Sequence, residues 1–133
     1  MNELELIKTA KLAAEYAYVP YSGFTVGAAL LTKDGKVYSG CNIENASYSP
    51  TNCAERTAFF KAVSEGERDF TAIAIVGGKD KSFTDYCPPC GVCRQVMSEF
   101  CSKDFKIILG KNDDEYKTFT LGELLPESFS LKE

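Results

Sequence analysis

Histidine is absent from all 133 residues. That gap excludes a Ser-His-Asp or Cys-His mechanism, a haem on a histidine ligand, and every zinc site built with imidazole. Any general acid or base has to be a carboxylate, lysine, tyrosine or thiol. Long apolar runs are missing as well: none approaches the roughly 18 residues that span a bilayer as a helix. The opening stretch, MNELELIKTAKLAAEYA, puts acidic side chains where a secretory leader carries positive charge, and it has no continuous apolar segment. Concentrated positive charge is lacking too. Lys and Arg number 15 against 19 Asp and Glu, a net charge of −4, and no basic cluster offers itself to a phosphate backbone. Neither nucleic acid nor membrane is expected as a partner, and the chain reads as intracellular, in the cytoplasm. In that compartment the six cysteines are expected as thiols or metal ligands rather than disulfides.

What is present is an ordinary globular composition, 44% hydrophobic and 26% charged, without repeats, low-complexity segments or linkers. A chain of this length buries roughly two thirds of its unfolded surface. One domain over residues 1–133 is expected. A helix is predicted over 2–18, where Asn2 and Glu5 have capping-box spacing and Leu6, Ala10, Ala13 and Ala17 share a face. VPYSG breaks it. FTVGAALLT and KVYSGCNI read as strands joined at Asp34-Gly35, the best hairpin signal in the chain. A second helix is predicted at about 53–65. FTAIAIVGG has the profile of a central strand covered on both faces. CGVCRQVMSEF reads as a helix, FKIILG as a buried strand, YKTFTL as a weak strand and GELLP as a short helix, with Thr120 and Glu123 at capping-box spacing. The order α-β-β-α-β-α-β-β-α predicts an α/β fold: a mixed sheet with helices on its faces.

The chemistry concentrates in CPPCGVC, Cys87 to Cys93, and in TNCAERTAFF, where Cys53 lies two residues before Glu55. Cys53 and the Cys90/Cys93 pair each open a predicted helix after a strand and loop. Such helix starts offer unpaired N–H groups and partial positive charge, which favour thiolate. Two of them side by side suit three sulfurs around one soft, redox-inert cation, and zinc fits best. Both Cys87-Pro-Pro-Cys90 and Cys90-Gly-Val-Cys93 have metal-knuckle spacing. Pro88 and Pro89 have no N–H to give a thiolate, whereas Gly91 and Val92 do, which favours Cys90 and Cys93 as ligands.

Three protein ligands leave a fourth position for water, the pattern of a catalytic zinc. Glu55 is placed to act as proton shuttle, and Arg56 to donate to a ligand sulfur and offset the negative charge of three thiolates. The competing readings are a thioredoxin-like redox pair and a closed, noncatalytic structural zinc with Cys87 as fourth ligand. Cys41 and Cys101 are expected as small buried residues.

CAER followed by PCGVCRQ resembles the zinc-dependent nucleoside deaminases, specifically the short-chain cytidine deaminases whose metal is held by three cysteines. The likeness covers nearly the whole chain, and the signature C-x-E…P-C-x-x-C is specific. The resemblance implies a three-layer cytidine deaminase-like fold with a central mixed five-stranded sheet, and one Zn²⁺ per subunit on Cys53, Cys90 and Cys93. It implies hydrolysis of cytidine and 2′-deoxycytidine to uridine and 2′-deoxyuridine with release of ammonia, in pyrimidine salvage, with Glu55 as proton carrier. GCNIENASYS is similar to the family's sugar-gripping block, which assigns Asn42 and Glu44 to the ribose. YSGFTVGAAL resembles the segment whose aromatic residue packs on the pyrimidine, which implies that role for Phe24, and the backbone at Ala54 would read the pyrimidine edge as in the family. LLPESFS resembles the ending in which an aromatic reaches a neighbouring subunit's site, here Phe129. The resemblance also maps Tyr48 to a residue at subunit contacts and implies a homotetramer with shared sites. Cys87 and the double proline depart from the family pattern, in which a small polar residue precedes Pro-Cys. Blasticidin-type deaminases share the zinc motif and chain length but lack the Asn-x-Glu-Asn arrangement.

Overall fold

The computed structural model describes residues 1–132. Its elements run α1 (Glu3–Ala14), β1 (Phe24–Thr32), β2 (Val37–Cys41), α2 (Ala54–Ser64), β3 (Phe70–Lys79), α3 (Gly91–Phe100), β4 (Lys106–Gly110), β5 (Tyr116–Thr120) and α4 (Leu121–Leu124). The five strands form one sheet in the order β2-β1-β3-β4-β5. β1 is antiparallel to both neighbours, β3 and β4 are parallel, and β5 returns antiparallel on β4. No helix among the described residues is long and apolar enough to cross a membrane.

Strand alternation sorts the core into two layers. Ala29, Ala72, Ala74, Val76 and Ile108 face α1, where Leu6, Ile7, Ala10 and Ala14 close over them. Ala28, Leu30, Ile73, Ile75 and Ile107 face the other way, onto Ala58 and Phe59 of α2 and Met97 of α3. The expected three-layer arrangement is therefore present, with β3 covered on both sides. Phe59 anchors the second layer, its ring 5.2 Å from that of Phe70, 6.0 Å from Phe105 and 6.3 Å from Phe100. Such a buried ring contributes about 3–5 kcal/mol relative to alanine.

α1 begins at the predicted cap, with the full capping box of Asn2 and Glu5. It ends before the predicted boundary, because the backbone of Tyr18 is engaged elsewhere. Its N–H donates to Asn42 O at 3.0 Å, and its carbonyl accepts from the N–H of Glu44 at 2.8 Å. This pairing draws the turn at 19–23 alongside residues 42–44. α2 sits very close to β2. A Cβ on Gly40 would lie 2.5 Å from Ala54 O and 2.6 Å from Ala58 N, so only glycine lets the first turns of α2 rest there. That contact fixes the height of the helix end carrying Cys53 and Glu55.

Candidate metal centre and substrate cleft

Cys53 is the N-cap of α2 and Cys90 the N-cap of α3, and neither side chain makes a capping hydrogen bond. First-turn N–H groups of both helices therefore remain available to sulfur. Cys93 lies one turn into α3, so both sulfurs of the α3 pair face Cys53. Cys53 Sγ is 3.8 Å from Cys90 Sγ, and Cys90 Sγ is 3.5 Å from Cys93 Sγ. All three sulfurs fall within 4.8 Å of one another. Zn–S bonds of about 2.3 Å in a tetrahedron require sulfurs about 3.8 Å apart, so this donor set fits zinc without rearrangement. Cys87 is not among these donors. Its sulfur packs against Gly77, beside the ring of Phe24, and burial first, then the negative charge of Glu55, Cys53 and Cys90, pushes its thiol up to about 11.

The electrostatics suit a thiolate cluster. A hydrogen bond from Cys93, opposed by burial and reinforced by Arg56, pulls Cys53 down to about 5. The same bond, together with burial, pushes Cys93 up, so the pair shares a proton that a divalent cation would displace. Arg56 Nη2 donates to Cys53 Sγ at 3.2 Å, as expected. Glu55 is only 4% exposed. Burial, with the nearby Cys53 charge adding to it and its own N–H opposing, lifts its carboxyl to about 7. A carboxyl so placed can both take and return a proton near neutral pH. Ala54, between Cys53 and Glu55, is fully buried.

Asn42 and Glu44 follow β2; Asn42 bonds the start of β1, and Glu44 lines a cleft beside it. Asn42 Nδ2 donates to Phe24 O at 2.8 Å, and its Oδ1 accepts from the N–H of Val26 at 2.9 Å. Glu44 Oε1 accepts from the N–H groups of Tyr21 and Ser22 at 3.0 and 3.1 Å, and Oε2 accepts from Ser22 Oγ. The Ser22 hydroxyl chiefly, with burial opposing and both N–H groups assisting, holds the Glu44 carboxyl below its ordinary value. The cleft, about 340 Å³, is lined by Tyr21, Ser22, Glu44, Asn45, Tyr48 and Thr51.

Residues 1–109 match the family model for the cytidine and deoxycytidylate deaminase zinc-binding region. The chain belongs to this family of zinc-binding deaminases. It is 55% identical to a cytidine deaminase of Halalkalibacterium halodurans over 133 residues, covering 100% of this chain and 98% of that one. A cytidine deaminase of Sporosarcina psychrophila is 52% identical over 130 residues, 98% of this chain and 93% of its own. The crystal structure of cytidine deaminase from Burkholderia pseudomallei superposes with a TM-score of 0.89 at 48% identity, covering 97% of this chain and 100% of that chain. The expected deaminase-like fold and zinc cofactor are thus borne out.

The remaining expected site residues are aromatic and exposed. Phe24 is 41% exposed, Tyr48 88% and Phe129 70%. Phe129 lines a separate cavity of about 400 Å³ with Phe100, Cys101 and Leu121. Cys41 and Cys101, expected buried, are half-buried. Burial raises both thiols, Cys101 to about 12, with Lys61 opposing at Cys41. Two residues escaped the sequence reading. Arg94 ties the approach to α3 to the end of α4, donating to Pro89 O and Leu124 O, each at 2.7 Å. Ser22 holds Glu44; a serine two residues before Phe24 signals a local turn, but nothing in the sequence points to a carboxylate 22 positions away.

Proposed function

We propose that this chain is a zinc-dependent cytidine deaminase that hydrolyses cytidine and 2′-deoxycytidine to the uridine products with release of ammonia. The observation that carries the reading is a buried carboxyl, Glu55, two residues after Cys53 of a three-sulfur cluster whose spacing suits zinc. Cys53, Cys90 and Cys93 hold the metal. Zinc, when bound there, supplies a Lewis acid that makes water acidic near neutral pH. As water adds to C4, Glu55 takes its proton and passes it to ring N3. It then carries the second water proton to the amino group, the C4–N bond breaks, and ammonia leaves behind a C4 carbonyl. Arg56 tempers the negative charge of the sulfurs through its bond to Cys53.

Phe24 stacks on the pyrimidine, and the backbone at Ala54 reads the pyrimidine edge. Glu44, ionised and hydrogen-bonded only to donors, accepts from a sugar hydroxyl, while Asn42 keeps one N–H beyond those it gives to β1. The exposed Tyr48 and Phe129 reach neighbouring copies in a homotetramer with shared sites. The setting is pyrimidine salvage in the cytoplasm.

The test is loss of cytidine absorbance in the ultraviolet with wild type and Glu55→Gln at matched zinc content. Wild type is expected to turn over and Glu55→Gln to lose about 10²–10⁴-fold in kcat while its zinc is retained. Absence of turnover by zinc-loaded wild type on cytidine and deoxycytidine overturns the proposal.

A further inference from the structure

One hydroxyl joins Glu44 of the cleft to the backbone of Phe24. Ser22 Oγ donates to Glu44 Oε2 and accepts from the N–H of Phe24 at 3.0 Å. Chemistry fixes the direction: an ionised carboxylate has no proton to give, so the serine proton points at Glu44 and a lone pair at Phe24. The turn that carries this hydroxyl is itself anchored. Lys79 Nζ donates to Ser22 O at 2.9 Å, and the N–H of Asp80 donates to Gly23 O at 2.9 Å. Gly23 adopts φ of +68°, a left-handed geometry that reverses the chain between Ser22 and Phe24. Ser22 therefore sits on a turn tied to β3, with its side chain shared between two substrate-facing residues.

We propose that Ser22 is a positioning residue, whose hydroxyl locks the Glu44 carboxylate and the Phe24 backbone into one unit so that sugar and base contacts are set together before substrate arrives. The inference rests on the cytidine deaminase reading. Holding a carboxylate in its bound orientation lowers the ordering cost of binding, and this predicts an effect on affinity rather than on the chemical step.

The experiment compares wild type, Ser22→Ala, Ser22→Cys, Ser22→Thr, Glu44→Gln and the Ser22→Ala/Glu44→Gln double variant, all zinc-loaded. It reads kcat and KM for cytidine, and the Kd of the product uridine by calorimetry. Ser22→Ala is expected to raise KM and the uridine Kd by about 10- to 100-fold, the equivalent of one charge-assisted hydrogen bond, with little change in kcat. Ser22→Thr restores most of the loss and Ser22→Cys, a weak donor, falls between. In the Glu44→Gln background, Ser22→Ala adds little, because the partner of the bond is already altered.

Losses that multiply in the double variant, a Thr variant as poor as Ala, or a defect confined to kcat overturn the assignment. Ser22→Cys carries the same comparison if the alanine variant does not fold. Wild type that binds uridine with Ser22 variants unchanged overturns the Ser22 role alone. Wild type that neither converts cytidine nor binds uridine overturns the function, and this inference with it.

Discussion

Asn42 illustrates how one side chain serves fold and site together. Its amide substitutes for a strand neighbour at the start of β1, bonding both Phe24 O and the N–H of Val26, and the proposed function assigns the same side chain to the sugar. The three-sulfur cluster is simpler, and its members were legible in the sequence. Cysteine spacing proposed two overlapping pairs, and the lack of N–H groups on Pro88 and Pro89 favoured Cys90 and Cys93, which are the two that meet Cys53 in space. The bonds of Asn42 and Ser22 were not legible, because their partners lie 16 to 22 positions away and only the fold brings them together. The ligand set makes a sharp prediction at this scale. Serine at Cys53, Cys90 or Cys93 abolishes stoichiometric zinc, whereas Cys87→Ser retains it, as measured by atomic absorption after gel filtration. Zinc lost from Cys87→Ser would mean a closed four-sulfur centre instead.

Between elements, the contact that matters most for chemistry is α2 against β2. A methyl group at Gly40 meets backbone atoms, which cannot rotate away as a side chain would. Gly40→Ala is therefore expected to push the start of α2 outward. Stability should fall by about 1–3 kcal/mol in urea unfolding, and kcat by up to about 100-fold as Glu55 shifts from its working position. Unchanged kcat with lowered stability would show that the helix end tolerates the shift. Most elements were readable beforehand, since the apolar runs of β1, β3 and β4 and the two capping boxes are strong local signals. The first helix was read too long because Ala17 continues its apolar face, and nothing local shows that Tyr18 pairs with Asn42 and Glu44. Strand order stayed out of reach for a related reason. The parallel pairing of β3 with β4 depends on how α3 crosses over the sheet, and hydrophobic pattern alone carries no information about that neighbour choice.

For the molecule as a whole, Tyr48 and Phe129 are large exposed aromatics, and the proposed homotetramer has them meet another copy. Light scattering is expected to give a particle of four 14.6 kDa chains. Phe129→Ala should leave that mass unchanged and raise KM roughly tenfold or more, in line with the loss of one aromatic stacked on a base. A monomeric mass with full activity would exclude shared sites. The two metal-bearing helix ends also have a significance apart from turnover. Cys53 and Cys90 are 37 positions apart, and between them lie the body of α2 and all of β3. An ion bridging them closes that stretch into a ring, and a cross-link around a loop of this size disfavours the unfolded chain by about 4 kcal/mol. Zinc is then a clasp as well as a reagent. A cell short of zinc would hold fewer copies of the protein as well as slower ones, because the unclasped chain opens more often and each opening exposes it to proteases.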